Sequence, residues 1–214
     1  MIWFVDIISI LIIYQLLVPF AVASKSGKYI LFNAKIAALK PLKTEGINPS
    51  HFSEWFSREE IPLEILKLNP SLEKIETLDN KQLRGYLKPI KFPGISVTSV
   101  IDFETNFEQN NFEVVCNEGA IKQSFEGNKI LISLFSTLSP VVVSKTTWFV
   151  DVENGSLGND SNLQIRFGIP SWFPFDVNNS EKEGGSVIQK NLESDVKELS
   201  DRILNLYRNW AHPN

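Results

Sequence analysis

Apolar residues recur every three or four positions along the last stretch of the chain, from Ser186 to Ala211. This spacing places them on one face of a helix about seven turns long, with charged residues on the opposite face. Gly184 and Gly185 precede Ser186, and Gln189 follows it by three positions, which is the pattern of a capping box. The sequence therefore predicts an amphipathic C-terminal helix that needs a broad apolar surface to pack on. Its apolar face comprises Ile188, Leu192, Val196, Leu199, Ile203, Leu206 and Trp210.

Most of the chain before this helix alternates apolar and polar residues between short turn sequences, which predicts strands with one buried face. The connections between the later strands are too short for helical crossovers, so we expect an antiparallel meander. Two polar stretches, 154–161 and 178–185, are predicted to be a loop and a linker. The predicted strands span 29–39, 72–78, 82–89, 95–105, 112–117, 129–136, 146–153 and 162–168.

Two short helices are predicted between the first strand and the second. Asn48 is a favourable N-cap, and Pro49 suits the first helical position. Phe52, Trp55 and Phe56 then share one face, and residues 61–68 form the second helix. One strand, two short helices, a meander and a long final helix predict an α+β fold in which the sheet covers the last helix.

Composition narrows the functional classes. The 214 residues suffice for one domain with a sizeable core, predicted here as residues 28–211 after a separate leader of residues 1–23. A formal net charge of -4 argues against nucleic-acid binding, which needs a basic surface. Cys116 is the only cysteine, so an internal disulfide and a four-cysteine zinc site are excluded. Its place in an alternating strand predicts a small buried side chain.

The first 23 residues have the character of a targeting segment. Residues 7–18 are mostly apolar, but this run is shorter than a typical membrane span. Ala21-Val22-Ala23 matches a signal-peptidase site. No Lys or Arg precedes the apolar run, whereas Lys25 and Lys28 follow it, an order that favours an uncleaved anchor with a translocated N-terminus. A cleaved leader is the favoured interpretation; membrane association through residues 1–23 and a misassigned start are the alternatives.

The following segment bears on localisation. Residues 24–44 contain five lysines and no acidic residue, which is typical of organelle transit peptides. A signal core followed by such a segment suits import into a plastid (chloroplast) through the secretory pathway; the alternatives are the secretory lumen and a membrane-anchored state. Triplets at Asn154, Asn159 and Asn178 would be glycosylated only in the secretory lumen. For residues 29–39 themselves, a first strand is the favoured interpretation.

Three sequence motifs carry a resemblance to a known family. They are Tyr86-Leu87-Lys88-Pro89-Ile90-Lys91-Phe92-Pro93-Gly94, Ile169-Pro170-Ser171-Trp172-Phe173-Pro174-Phe175 and Tyr207-Arg208-Asn209-Trp210-Ala211. With the element order, they make the chain resemble the START-like superfamily, and more closely a domain-of-unknown-function family from cyanobacteria and plant plastids. The resemblance implies a helix-grip fold, in which an antiparallel sheet of seven or eight strands wraps around a long C-terminal helix and leaves a cavity. It implies no reaction.

Aromatic residues near the end of the sheet are the candidate ligand-binding residues. Trp172 and Phe173 lie between two prolines and Phe175 follows the second, and the resemblance places their loop at the cavity mouth. Trp148 lies in the preceding predicted strand. Arg166 could orient an anionic head group if it faced the cavity, although the alternation predicts that it faces outward. Apolar concave sites suit lipophilic ligands, while core packing is the alternative and the commoner role of such rings.

The sequence contains no recognisable catalytic or cofactor motif. His51 and His212 are not spaced as a pair of metal ligands, and no Gly-rich phosphate loop follows a strand. Asp102 and Glu104 alternate with an apolar face, so both are expected to point to solvent. We therefore predict no catalytic residue, no metal site and no cofactor.

Three functions remain open. The favoured one is non-catalytic binding or carriage of a hydrophobic small molecule, such as a lipid, pigment or isoprenoid, which requires a cavity larger than a few water molecules. A cyclase- or hydrolase-type enzyme using the same cavity would require at least two ionisable side chains inside it. A scaffold or assembly factor acting through its surface would instead show a filled interior and a large exposed aromatic patch.

Overall fold

A computed structural model describes residues 29–69, 71–79, 81–137, 140–168 and 177–212. Within these ranges, nine strands form one antiparallel sheet, accompanied by four helices and a short 3-10 turn at Lys43–Glu45. The strands are β1 (Tyr29–Pro41), β2 (Leu72–Thr77), β3 (Gln82–Leu87), β4 (Ile90–Phe92), β5 (Ile95–Glu108), β6 (Asn111–Cys116), β7 (Ile121–Gly127), β8 (Val141–Asp151) and β9 (Ser156–Gly168). The helices are α1 (Pro49–Phe56), α2 (Ile61–Lys67), α3 (Lys129–Thr137) and α4 (Val177–Ala211).

The sheet runs in the order β1-β9-β8-β6-β5-β3-β2, and β4 and β7 pair with β5 outside this path. Strands β6 and β7 pair with successive halves of the long strand β5, and residues 117–120 lie between them. The predicted α+β helix-grip fold, an antiparallel sheet with a long C-terminal helix, is confirmed. The sheet exceeds the predicted seven or eight strands because β4 and β7 were not recognised in the sequence.

Helix α4 buries the face that its apolar spacing predicts. The inward side chains pack against the sheet, whereas Trp210, at the end of the stripe, is 39% exposed. Its ring instead lies 5.4 Å from His51, and the guanidinium carbon of Arg58 lies 5.4 Å from its centroid. Among the residues of α4 whose side chains the structure describes, the buried ones are Ile188, Leu192, Asp195, Val196, Leu199, Ser200, Ile203, Leu204 and Tyr207.

Helix α1 supplies a second part of the core. The side-chain oxygen of Asn48 accepts hydrogen bonds from the backbone N–H groups of Ser50 and His51, which confirms the predicted cap. Phe52, Trp55 and Phe56 are all fully buried. With Tyr207 of α4 these three residues form what we call the aromatic cluster, which joins the first short helix to the end of the last helix.

Side chains of α4 cover the free edge of β1, the strand at one end of the sheet. Glu181 Oε1 accepts the backbone N–H of Leu31 at 2.8 Å. The amide of Gln189 pairs with both backbone groups of Lys35, accepting from N at 3.0 Å and donating to O at 2.9 Å. The helix thus provides hydrogen-bond partners for backbone groups of β1 to which another strand could otherwise pair.

Substitution of Gln189 by alanine is expected to lower the free energy of unfolding by about 1 kcal/mol, because two exposed hydrogen bonds to Lys35 and one to Glu193 are lost. Hydrogen exchange of the Lys35 amide should accelerate, since that N–H loses its acceptor. Lys190→Ala, at the next position of the same helix, is the matched control and should change neither quantity. Unchanged exchange at Lys35 in the Gln189 variant would contradict the edge contact.

The predicted start of the C-terminal helix was wrong. Helix α4 begins at Val177, so residues 178–185 are helical rather than a linker, and no capping box forms at Ser186. Two adjacent glycines are poor helix formers, yet Gly184 lies directly against the ring of Phe32 in β1. Tertiary packing on β1 therefore outweighs the low helix propensity of this segment.

The predicted strand at 129–136 was also wrong, because these residues form α3. Its apolar residues both alternate and recur every four positions, so hydropathy alone fits either structure. The side-chain oxygen of Asn128 accepts from the N–H groups of Ile130 at 2.9 Å and Leu131 at 3.4 Å, which starts the helix.

The polar stretch 154–161 is mostly strand rather than loop. Strand β9 begins at Ser156, and residues 156–160 pair with β1 on one side and β8 on the other. Asn159 and Ser161 point inward and are each 2% exposed. An inward face made of polar residues gives no hydropathy contrast, which is why the pattern predicted a loop. The buried side chain of Asn159 leaves no room for a glycan in the folded chain.

None of the described helices is both long enough and apolar enough to cross a membrane. The predicted leader, residues 1–23, lies outside the described residues.

Candidate functional site

A cavity lies where the inner face of the sheet meets α2 and α4. Its apolar wall combines side chains from both helices with residues of three central strands. These apolar residues are Ile65, Leu66, Phe112, Val114, Trp148, Leu163, Leu192 and Leu199. The cavity thus lies between the sheet and the long C-terminal helix, where the resemblance led us to expect one.

The cavity has a volume of about 30 Å³. A buried water needs roughly 10–15 Å³ by the same kind of measure, whereas sites for drug-sized ligands are about 300 Å³ or larger. The described cavity therefore has room for a water molecule or two. A larger guest could bind only if part of the wall moved.

Polar residues form a strip along one side of the cavity. The strip consists of Ser144 and Thr146 from β8 and Ser161 from β9, while Asn69 after α2 and Asn162 of β9 also line the cavity. Thr146 and Ser161 are direct cross-strand neighbours, and their hydroxyl oxygens lie 3.2 Å apart. Ser161 also donates to Oδ1 of buried Asn159 at 2.8 Å. The strip offers hydrogen bonds but no charge.

The described residues around the cavity include no Asp, Glu, Lys, Arg or His. Asp195 on α4 is the one charged residue that is buried in the described part of the chain, and it is not among the lining residues. These lining residues consequently supply neither a general acid nor a general base, which acid–base catalysis requires.

The structure places the predicted site residues in different surroundings. Trp148 is buried and lines the cavity. Arg166 lies on the outer face of β9, where it pairs with Glu118 at 2.8 Å and stacks over the ring of Tyr29. It therefore does not line the cavity, in accord with its place in the alternation. The other three, Trp172, Phe173 and Phe175, lie outside the described residues.

Sequence reasoning missed Ser144, Thr146 and Ser161. A usable pattern existed, because Ser144 and Thr146 have the same strand parity as Trp148, and inward positions alternate strictly along a strand. Small hydroxyl residues in a strand form no distinctive motif. Only the structure, in which α2 and α4 lie over them, shows that these side chains line a cavity.

The ionisable residues on the outer face of the sheet form structural pairs. Arg84 holds Asp102 through two hydrogen bonds of 2.6 and 2.9 Å, and Lys122 approaches the same carboxylate at 3.2 Å. The hydrogen bond from Arg84 keeps the pKa of Asp102 below its ordinary value. Asp102 thus lies on the outer face, as predicted, and so does Glu104, which accepts a hydrogen bond from Asn117 at 2.8 Å.

Two further titratable groups belong to the core rather than to a reactive site. Cys116 is fully buried, as predicted, and burial raises the pKa of its thiol to about 12. Burial also raises the pKa of Tyr207, whose hydroxyl lies 2.7 Å from Nδ1 of His51. A buried thiol with a raised pKa is a poor nucleophile near neutral pH.

No protein-family model matches this chain, and no curated protein matches it in sequence. Similar solved structures do exist. A START superfamily protein from Mycobacterium smegmatis is 12% identical, with a TM-score of 0.41, and the match covers 83% of this chain and 99% of that one. A conserved protein from Geobacillus kaustophilus is 12% identical, with a TM-score of 0.40 and coverage of 82% and 96%.

A third similar structure is norcoclaurine synthase from Thalictrum flavum in complex with dopamine and hydroxybenzaldehyde. It is 12% identical, with a TM-score of 0.41, and the match covers 88% of this chain and 98% of that one. At this identity the likeness concerns the arrangement of strands and helices alone.

Proposed function

We propose that this protein binds a small, uncharged and largely apolar molecule between its sheet and its C-terminal helix, without catalysing a reaction. The observation that carries the proposal is the cavity wall, which is apolar apart from one uncharged hydrogen-bonding strip. A wall of this composition suits a hydrophobic ligand with few polar groups.

Helix α2 is the element that would move to admit a guest. It is only seven residues long and contributes Ile65 and Leu66 to the wall. Its end is held to α4 by a hydrogen bond of 2.8 Å from Arg202 to the carbonyl of Leu68. In this proposal, a ligand binds the fraction of molecules in which α2 has shifted outward.

The finer parts of the proposal are supported by sequence alone. A role as carrier of a lipid, pigment or isoprenoid in a plastid is supported by the apolar run of residues 7–18, by the basic segment 24–44 and by the three motifs that resemble those of the cyanobacterial and plastid family. Native mass spectrometry of the protein purified from its own cells tests this part, and a co-purifying apolar molecule is the expected result.

A fluorescence titration with N-phenyl-1-naphthylamine, a neutral apolar probe, tests binding directly. Val114→Phe places a larger side chain in the cavity, so we expect the probe to bind roughly tenfold or more weakly than to the native protein. Val115→Phe is the matched control, because Val114 is buried on the inner face whereas Val115 lies on the outer face of the same strand. Probe binding to the control variant should be unchanged.

Thermal unfolding of both variants, followed by circular dichroism, establishes that each is folded. If the native protein does not bind the probe, or if Val114→Phe and Val115→Phe affect it equally, binding in this cavity is ruled out. The small cavity volume favours a second candidate in that case, namely a scaffold or assembly factor that acts through its surface with a filled interior.

A further inference from the structure

The cavity wall carries a row of hydroxyl groups whose hydrogen bonds are not all used within the protein. Ser144 and Thr146 occupy successive inward positions of β8, and Ser161 faces Thr146 from β9. We propose that this row recognises an uncharged oxygen, a hydroxyl or a carbonyl, on the ligand, so that the cavity accepts neutral alcohols or esters and rejects the corresponding carboxylates. This inference rests on the proposed function, since it defines the ligand class of the same cavity.

The number of hydroxyl protons shows which of these side chains can still donate a hydrogen bond to a ligand. Ser161 has one proton, and Oδ1 of Asn159 at 2.8 Å is a closer acceptor for it than Oγ1 of Thr146 at 3.2 Å. Thr146 therefore keeps its own proton to donate either to Ser161 or into the cavity. Rotation of its hydroxyl is enough to switch between these partners.

Ser144 provides the second spare group, because its hydroxyl has no hydrogen-bond partner in the part of the chain that the structure describes. The neighbouring inward positions of β8 hold Val142, Trp148 and Val150. Apolar side chains thus suit this face, and the half-buried hydroxyl of Ser144 is left available to a bound molecule. An oxygen on a bound molecule would satisfy both Ser144 and Thr146.

The charge around the cavity argues against an anionic ligand. No cationic side chain lies among the described lining residues, and Arg166 is directed to the outer face, where it pairs with Glu118. The buried charged residue on the neighbouring helix, Asp195, is itself acidic. A carboxylate entering this site would lose its hydration without gaining a counter-charge, whereas the loss of hydration costs a neutral alcohol of the same length far less.

Displacement of bound N-phenyl-1-naphthylamine by 1-dodecanol and by dodecanoate at pH 8 compares two ligands that differ only in the head group. We expect dodecanol to displace the probe at concentrations roughly tenfold lower than dodecanoate. In Thr146→Val, which keeps the side-chain shape, dodecanol should bind about three- to tenfold more weakly. Binding of the probe, which has no oxygen, should be unchanged. Thr147→Val, on the outer face of the same strand, is the matched control.

The possible outcomes distinguish a failure of this inference from a failure of the proposed binding function. If the probe binds but dodecanol and dodecanoate displace it equally, the selection for an uncharged group is wrong and the binding function stands. If Thr146→Val weakens the probe and dodecanol alike, the hydroxyl row holds only an ordered water or a structural contact, and the inference fails. If the native protein does not bind the probe at all, the proposed function fails, and the inference fails with it.

Discussion

Substitution of Trp55 by alanine is expected to lower the free energy of unfolding by about 3–5 kcal/mol. Trp55 is fully buried in the aromatic cluster, with its ring centroid 5.2 Å from that of Phe52 and 5.4 Å from that of Tyr207. Those neighbours are fixed by α1 and α4, so they cannot close the space that the indole leaves. Nε1 of Trp55 has no hydrogen-bond partner among the described residues. The expected loss of stability therefore comes from lost packing contacts and not from a lost hydrogen bond.

Urea unfolding followed by circular dichroism measures this effect. Trp210→Ala is the matched control, because that indole is 39% exposed at the end of α4, and its removal should cost less than about 1.5 kcal/mol. Should Trp55→Ala fail to fold, Trp55→Phe retains a ring and is expected to lose about 1–2 kcal/mol. Equal losses at positions 55 and 210 would show that the aromatic cluster does not contribute to the core as described.

Two adjacent glycines in α4 are expected to respond to alanine in opposite directions. A Cβ at position 184 would lie 2.8 Å from Cζ of Phe32 and closer still to Cε1, whereas the nearest atom to a Cβ at position 185 is the carbonyl oxygen of Asn33 at 4.0 Å. Alanine is favoured over glycine in a helix by about 1 kcal/mol at both positions. We therefore expect Gly185→Ala to stabilise the protein by about 1 kcal/mol.

Gly184→Ala, in contrast, is expected to destabilise the protein by a net 1–3 kcal/mol, roughly the cost of overpacking a well-filled site. Phe32 cannot swing away freely, because its buried ring packs edge-on against Phe167 with centroids 5.8 Å apart. Urea unfolding of the two glycine variants provides the comparison. Adding Phe32→Leu to Gly184→Ala should recover part of the loss, since the two positions are coupled. Equal stabilisation at both glycines would contradict the close packing of α4 on β1.

Local patterns predicted several elements well, for reasons that the structure makes clear. The three- and four-residue spacing from Ile188 to Ile203 identified the buried face of α4, because a single helix meets a single sheet along that face. Asn48 predicted the start of α1, since its cap depends on backbone groups only two and three residues away. Strand parity placed Arg166 on the outer face for the same local reason.

The local patterns gave wrong predictions where one stretch of sequence is compatible with two kinds of structure. The apolar residues of α3 fit a helix or a strand, and the polar inward face of β9 resembled a loop. Gly184 indicated a break in the helix, yet the ring of Phe32, distant in sequence, makes a glycine necessary there. In each case the deciding contact comes from another element, and no window of the sequence contains it.

By itself the sequence determined the class of fold, the long amphipathic helix and the face that it buries, because periodicity and capping act within a few residues. Only the tertiary structure decided that α2 and α4 close over Ser144, Thr146 and Ser161, leaving a cavity of about 30 Å³ with no charge in its described wall. The size and lining of a cavity depend on how surfaces far apart in the chain fit together, and that fit is a property of the packed whole rather than of any local pattern.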